Sequence, residues 1–552
     1  MVDTVQPTPQ DAERAFRPER PPRLRLQELL DQLHDRGLPA RVEGQAQTVV
    51  SGVCMDSRAV LPGDIYAAVP GARSHGADFV AAAARAGAAA VLADEGGTAR
   101  AAASGLPVLV VDSVRAAVGP LAAALYGSDK PGLGLIGVTG TNGKTTTTYF
   151  AASLLRGLGQ RTGLIGTIEI VADGTRIPSV LTTPEAPQLH ALLSRMRAAG
   201  VDTVAMEVSS HSIDYERVGG MRFGVSGFTN LTQDHLDLHG SMQAYFEAKA
   251  RLFEAGRSDT AVITVDDKWG QRMARAAGGH VLTLRTAPAD GATPERELPG
   301  EAWRVDAVAP HGLGHDFELH GPHGALLRAH TGLPGLFNVS NAALAILMVH
   351  ATGVGLDEIQ QVLDVADPLT VAVPGRMQVV CEEPAAVVDF AHNSDALERA
   401  IGAVRGQHPG ARVIVVFGAT GDRDSTKRAA MGAVAARHAD VVIVTDDDPH
   451  TEEPGGIRRQ VLGGALAAIE AEGLSSQVSE VYPRAKAIMA AVDMARPQDT
   501  ILVAGRGHEI WQDVAGTNVP LDDRVELRRA LEAAGHAPRS VEGDSTEPTA
   551  NG

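Results

Sequence analysis

Residues 134–146 read Gly134-Leu135-Ile136-Gly137-Val138-Thr139-Gly140-Thr141-Asn142-Gly143-Lys144-Thr145-Thr146, and no other segment constrains the fold as much. A short apolar run closed by a Gly-rich turn fits a buried strand, and the residues after Gly143 fit the start of a helix. A strand feeding a helix in this way opens a β-α unit, so the segment predicts a parallel sheet. Its residue types also point to a chemistry. Glycines at 140 and 143 let backbone N–H groups close on phosphate oxygens. Lys144 can reach β- and γ-phosphates, and the Thr145 hydroxyl can ligate Mg²⁺. The general triphosphate loop has glycine where this chain has Val138, with Gly137 and Gly140 on either side. The alternative is an ordinary strand–turn–helix corner.

A chain of 552 residues is too long for one core and suggests about three or four domains. Asp plus Glu number 67 against 49 Lys plus Arg, a net charge of −18 that argues against nucleic-acid and anionic-membrane partners. The two cysteines, Cys54 and Cys381, form no disulfide framework and fit a reducing compartment. No apolar run reaches the roughly 18 residues of a spanning helix. Residues 1–23, rich in Pro, Arg and acids, lack the apolar segment of a secretory signal. The expectation is a cytoplasmic monomer without membrane insertion, with disordered tails over residues 1–23 and 537–552.

Between the tails, composition marks an α/β chain of three blocks, residues 24–131, 132–373 and 374–536. In the first, short apolar strands alternate with Ala-rich helical stretches, and the polar turn formers of Gly127–Gly132 read as a linker. The second alternates strands and helices around the phosphate loop, with hairpins expected from Trp303 to His330 and a helix from Asn338. The third has strand candidates at Arg412–Phe417, Asp440–Thr445 and Thr500–Ala504, each ending in a polar loop where open α/β sheets bind ligands.

A second constellation lies beyond the loop. The strand Thr203–Glu207 ends in a carboxylate, and the strand from Gly224 to Leu231 runs toward His235. Glu207 and His235 are expected to meet at adjacent strand ends, where an oxygen and an imidazole donor could hold Mg²⁺. A surface Glu and a capping His are the alternative. Next, Ser241 suits an N-cap, and Met242, Tyr245, Phe246, Lys249, Leu252 and Phe253 share one helical stripe. A lysine on an apolar stripe either snorkels to solvent or stays buried with a depressed pKa. A neutral amine can take up CO₂ as a carbamate, an anion fit for Mg²⁺ or the nucleotide.

Gly140-Thr141-Asn142-Gly143-Lys144-Thr145-Thr146 resembles the ATP loop of the Mur ligase family, which accounts for the missing glycine. The resemblance spans about residues 24–531. It implies the family's three-domain architecture, with a uridine-binding N-terminal domain, a central ATPase domain and a C-terminal Rossmann-like domain. Glu207, His235 and Lys249 fall on positions resembling the second Mg²⁺ site and a carbamylated lysine, with Lys144, His235 and Lys249 as the catalytic set. Asn338, Asn341, Arg376, Asp389 and His392 resemble nucleotide contacts. The branch most resembled makes the UDP-N-acetylmuramoyl tripeptide. Ser57 in Asp56–Asp64, with Gly71–Gly76, resembles its uridine contacts; Thr182, Thr183, Ser209, Ser210 and Arg217 resemble its sugar-nucleotide contacts. The implied reaction phosphorylates the D-Glu carboxylate of UDP-MurNAc-L-Ala-D-Glu with ATP, and an amino acid then attacks the acyl phosphate. The partners are thus a UDP-MurNAc-dipeptide and an amine.

The third block departs from the pattern. Asp447-Asp448-Pro449-His450 stands where diaminopimelate-adding enzymes have Asp-Asn-Pro-Arg, although Arg423, Gly505 and Glu509 keep that pattern. A histidine cannot reproduce the bidentate fork of arginine, and an added carboxylate favours a cationic side chain such as Lys or ornithine. Phe390 replaces Tyr, Ala419-Thr420 replaces Cys-Gly, Ser425-Thr426 replaces Lys-Gly, and Arg506 replaces Lys. A paralogue joining another carboxylate and amine, and a folylpolyglutamate- or cyanophycin-synthetase-like ligase, remain as alternatives. So do a switch NTPase and a non-catalytic binding protein.

Overall fold

Strands such as Ala90–Ala93, Val108–Val111, Val413–Phe417 and Thr500–Ala504 are buried along their whole length. Continuous burial on both faces is what strands of a helix-covered parallel sheet require. The computed structural model describes residues 8–71, 74–172, 174–179, 181–286, 298–405 and 410–539. Ala72 and Arg73 of the expected uridine stretch, and the outermost parts of both expected tails, lie outside the described residues. The chain divides into two compact units, Met1–Asp306 with Glu318–Ala329 and Ser340–Leu369, and Ala307–Phe317 with His330–Val339 and Thr370–Gly552. Among the described residues no helix is long and apolar enough to cross a membrane.

The first unit carries a five-stranded sheet in the order Ala40–Glu43, Val108–Val111, Ala90–Ala93, Asp64–Ala67, Gly52–Cys54, parallel except at its first pair. It also carries a larger sheet with a parallel centre. There the phosphate-loop strand Gly134–Thr139 lies between Thr203–Glu207 and Phe223–Phe228. Thr162–Ile165 extends this centre on one side, and Ser258–Thr264 then His280–Arg285 on the other. Glu301–His311, Gly314–His320 and Leu326–Thr331 are the strands of the expected hairpin region, of which Ala307–Phe317 and His330–Thr331 count with the second unit.

The second unit holds a six-stranded sheet in the order Gln378–Glu382, Ala385–Asp389, Thr500–Ala504, Val413–Phe417, Val441–Val444, Gln477–Glu480. All neighbours are parallel except the first pair. Apolar cores cover both faces, one built on Phe417 and Leu502, the other on Ile414 and Val503. The chain order reverses around Thr500–Ala504, which opens a crevice at the carboxyl ends of these strands.

The expectation of disorder over residues 1–23 is corrected from residue 8 onward. Pro9–Phe16 is a helix with Thr8 as N-cap in a capping box with Asp11 and Pro at its first turn. It is fixed by Arg17, whose guanidinium bonds Glu13, Asp64, Tyr126 Oη and, at 2.8 Å, the Val53 carbonyl. Burial pushes the Glu13 and Asp64 carboxyls up, and Arg17 opposes the shift. At the other end Arg539 donates from its backbone to Val380 at 2.8 Å, so residues 537–539 are also ordered.

Removing Arg17 leaves two buried carboxylates without a countercharge. Arg17→Met is expected to lower unfolding free energy by about 3–5 kcal/mol, read as a reduced urea midpoint at unchanged m-value.

Candidate active site

The phosphate loop has no room for side chains where it turns. Gly140 and Gly143 take φ of +149° and +89°. A Cβ at Gly140 would lie 1.9 Å from Thr229 Oγ1, and one at Gly143 2.3 Å from Asn341 Oδ1. The helix Lys144–Gly157 starts directly after, so its free N–H groups and dipole face the turn. Thr141 bonds the Thr232 carbonyl through Oγ1 at 3.2 Å, and the Asn142 N–H bonds Asn230 at 3.1 Å. Thr145 and Thr146 are buried in the first turn. Lys144 Nζ donates to the carbonyls of Gly140 and Thr141 at 3.0 and 2.8 Å.

A second lysine reaches the same carbonyl. Lys249, on the helix Met242–Ala250 capped by Ser241, donates from Nζ to Gly140 O at 2.9 Å. Its Nζ stands 4.5 Å from the centre of the Tyr245 ring, and the side chain is 1% exposed. Burial, reinforced by the Lys144 charge, holds its pKa well below the ordinary lysine value. Of the two readings of this lysine, the structure takes the buried one.

Glu207 and His235 are not on adjacent strands as expected; the phosphate-loop strand lies between theirs. The two chain segments therefore approach the loop from opposite sides. Glu207 is buried, accepting from Thr167 N at 2.7 Å and Thr167 Oγ1 at 3.0 Å. His235 sits at φ +52° with its ring edge-on to His211, 4.8 Å between centroids. The side chain is still 44% exposed, and its partial desolvation, with the neighbouring positive charges of His211 and Lys144 against Asp234, lowers its pKa.

The expected sugar-nucleotide residues gather at the same strand end. Thr182 Oγ1 lies 3.0 Å from Thr167 Oγ1, and Thr183 Oγ1 donates to the Glu207 carbonyl at 2.9 Å. Ser209 caps the short helix Ser210–Asp214, and Ser210 meets His239 at 3.0 Å. Arg217 bonds Glu185 at 2.9 Å and the Thr183 carbonyl at 3.3 Å. Ser57 lies half-buried in the turn after Cys54. A cavity of about 240 Å³ between that turn and this segment is lined by Glu13, Met55, Asp56, Glu185 and Gln188.

In the second unit, Pro374-Gly375-Arg376 packs on Gly507-His508, where a Cβ at Gly375 would lie 2.1 Å from His508 N. The Arg376 guanidinium stacks 4.2 Å over Phe390, so the cation–π contact does not need a tyrosine hydroxyl. Asp389 accepts from the N–H groups of Met377 and Ala391, and His392 Nδ1 meets the Phe390 carbonyl at 2.9 Å. Asn338 donates to the Pro334 carbonyl at 2.8 Å, and in the first unit Asn341 meets Thr147 Oγ1 at 3.5 Å.

The expected amine residues also converge. Asp447, Asp448 and Glu509 place carboxylate oxygens within 4.8 Å of one another. Gly505, at φ +115°, approaches Asp447 so closely that a Cβ would lie 2.6 Å from Oδ2. Arg506, fully buried, bonds Asp448 and the Trp511 carbonyl. Burial, aided by Asp447, pushes the Glu509 pKa up to about 8. His450 does not join this cluster: it bonds Asp513 at 2.8 Å, at a backbone position of φ +48°. Arg423 is exposed. Sequence reasoning missed Thr167 as partner of Glu207, Glu185 as anchor of Arg217, and the hairpin Trp511–Pro520 that holds Arg506 and His450.

Family models match in three places: the Mur ligase family catalytic domain over residues 49–126, the Mur ligase middle domain over 138–349, and the Mur ligase glutamate ligase domain over 375–507. A Streptomyces coelicolor protein named UDP-N-acetylmuramoyl-L-alanyl-D-glutamate--2,6-diaminopimelate ligase is 46% identical over 519 residues, 93% of this chain and 98% of its own. A Corynebacterium glutamicum protein of the same name is 43% identical over 504 residues, 90% and 94% of the two chains. A solved structure of an enzyme with that name superposes with a TM-score of 0.63 at 30% identity, covering 93% of this chain and 100% of its own.

Two outcomes are expected from this geometry. Gly143→Ala strains the loop and meets Asn341, so affinity for a fluorescent ATP analogue should fall roughly tenfold or more, in line with about 1–3 kcal/mol of strain. Glu509 binds a proton more tightly folded than unfolded, so its contribution to stability is full below pH 4.5 and lost as pH rises through about 8. Comparing urea midpoints of wild type and Glu509→Gln across that range should show the decline reduced in the variant.

Proposed function

The chain belongs to the Mur ligase family, and on that premise we propose that it is an ATP-dependent amide ligase joining a diamino acid to the D-Glu carboxylate of UDP-MurNAc-L-Ala-D-Glu. Diaminopimelate, the acceptor in the names of its relatives, is the favoured amine. The product is a peptidoglycan precursor, made in the cytoplasm by a monomer organised as the three blocks read from the sequence.

One observation carries this reading: Lys144 and Lys249 both donate to the carbonyl of Gly140, beside a glycine turn with no room for side chains. A carboxylate and a triphosphate repel each other, and the Lys144 charge at the loop offsets that repulsion, while the buried Lys249 beside it supplies an amine of lowered pKa. The loop N–H groups and Lys144 bind the triphosphate. Transfer of its terminal phosphoryl group to the D-Glu carboxylate forms one O–P bond, breaks another and releases ADP. The amine then attacks the acyl carbon. A C–N bond forms, the C–O bond breaks, and phosphate leaves while the amine loses a proton.

Thr145 and Glu207 offer the hydroxyl and carboxylate oxygens that a hard cation prefers, with His235 as a nitrogen donor, so the donor set fits Mg²⁺. Bound there, Mg²⁺ neutralises charge between the two anionic reactants. Lys249, buried with its pKa held well below the ordinary lysine value, is suited to carbamylation: the nitrogen of its unprotonated amine bonds the carbon of CO₂ and one proton is released. The carbamate keeps an N–H for Gly140 and sets an anion beside Lys144. Thr182, Thr183, Ser209, Ser210 and Arg217 hold the sugar nucleotide near Glu207, with Ser57 toward its uridine. Asn341 of the first unit serves the adenine nucleotide.

On the amine side, Asp447, Asp448 and Glu509 surround one arginine, an arrangement that favours an ammonium group. Diaminopimelate, lysine and ornithine all carry one at the distal end. The added Asp448 supports lysine or ornithine as a second reading, whereas Arg423 can serve the distal carboxylate of diaminopimelate.

The test is phosphate release and product mass with ATP, UDP-MurNAc-L-Ala-D-Glu and each amine in turn. Release should need both substrates and run fastest with diaminopimelate. Lys144→Ala should lower the rate about a thousandfold, the scale of a lost transition-state donor. Lys249→Ala should be inactive but partly restored by short carboxylates. ATP hydrolysis indifferent to the UDP-sugar would reject the ligase reading.

A further inference from the structure

Far along the chain from the phosphate loop, three side chains in the second unit converge without a role in the reaction above. His311 ends the strand Glu301–His311, Asp316 lies on Gly314–His320, and His330 lies on Leu326–Thr331. These are successive neighbours in the sheet, with the strand of Asp316 in the middle. Phe317, Leu319, Leu327 and Ala329 are buried, so alternation along the strands puts Asp316 and His330 together on the outward face. Gly314 lets the strands close up, since a Cβ there would lie 1.7 Å from the Thr331 carbonyl. His311 enters from the turn at Gly312, which takes φ +60°.

The geometry points to a binding site for a divalent transition-metal ion of the zinc type, held by His311, Asp316 and His330. Nδ1 of His311 and Nδ1 of His330 lie 2.9 and 3.0 Å from Asp316 Oδ1, and one ligand atom from each residue falls within 4.8 Å of the others. The two imidazole rings are 4.5 Å apart. Ligands of a tetrahedral zinc, at about 2.0–2.1 Å from the metal, sit roughly 3.3 Å from one another. Opening the two His–Asp distances by a few tenths of an ångström therefore brings them to the spacing of zinc ligands. Ligation through Nδ1 moves each ring proton to Nε2, and the carboxylate that now accepts two N–H bonds becomes the anionic ligand. Two imidazoles and one carboxylate, with a coordination position left for water, suit zinc or cobalt rather than Mg²⁺, which takes oxygen. His315, one residue before Asp316, belongs to the opposite face and stays outside the set.

The experiment uses the full chain, freed of metal with chelator and kept in excess Mg²⁺. Titration with Zn²⁺ in a calorimeter should reveal one site per chain, and Co²⁺ should give visible d–d absorption at the same stoichiometry. His330→Gln and Asp316→Asn should each weaken this binding by roughly tenfold or more, since even outer partners of metal ligands cost that much. His235→Gln should leave the isotherm unchanged, and His330→Gln should leave ligase turnover in Mg²⁺ unchanged. Equal Zn²⁺ affinity in wild type, His330→Gln and Asp316→Asn would overturn the proposal and leave a hydrogen-bonded surface trio. Loss of binding in His235→Gln alone would overturn it too, by moving the ion to the phosphate-loop side.

Discussion

The carbonyl of Gly140 is the point on which the first unit's chemistry turns. Two lysine side chains end on one oxygen, Lys249 from a position 109 residues along the chain from Gly140. That convergence requires the Gly140 backbone to aim its carbonyl between them, which the φ of +149° permits and a side chain would forbid. It also requires the helix Met242–Ala250 to be buried against the loop so that Lys249 loses its water. Desolvation beside a second positive charge lowers the Lys249 pKa well below the ordinary lysine value and so raises its share of unprotonated amine.

The second unit relies on a different device. Arg484 and Asp523, both fully buried, pair beneath the strand ends, with Arg484 also donating to the Ala504 and Asp446 carbonyls. A buried pair of this kind adds little net stability, but removing one partner leaves an uncompensated charge, so it fixes geometry more than it adds energy. The carbonyls it holds belong to the loops that present Asp447 and Gly505. The cluster of Asp447, Asp448 and Glu509 is thus supported by charges that lie outside it.

Much of this was legible in the sequence, for identifiable reasons. The phosphate-loop strand, the three C-terminal strands and the helix carrying Lys249 read clearly because burial and local periodicity leave a direct mark on residue order. The helix Pro9–Phe16 did not read as one, although Thr8, Pro9 and Asp11 form a recognisable capping box. Its charged composition hid that Arg17 reaches Asp64, 47 residues on. Contacts between distant positions were invisible for the same reason. Thr167 lies 40 residues from Glu207, and Arg506 lies 58 residues from Asp448. His450 was read as facing the amine because residue type and position suggested it. Its bond to Asp513, 63 residues away, depends on where the hairpin Trp511–Pro520 folds. Strand order, too, escapes local reading, which is why the phosphate-loop strand was not expected between those of Glu207 and His235.

The loops Gly418–Arg423 and Asp447–His450 meet backbone to backbone. Gly421 N donates to the Asp448 carbonyl at 2.7 Å, and a Cβ at Gly421 would stand 1.9 Å from the Pro449 carbonyl. Asp422 accepts from Thr451 while its own N–H is held by Glu452. Two loops locked in this manner cannot drift independently. The unusual residues at 419, 420, 448 and 450 therefore sit on one mechanically coupled pair of loops. Transplanting either loop alone from a relative would import a surface whose counterpart stayed behind.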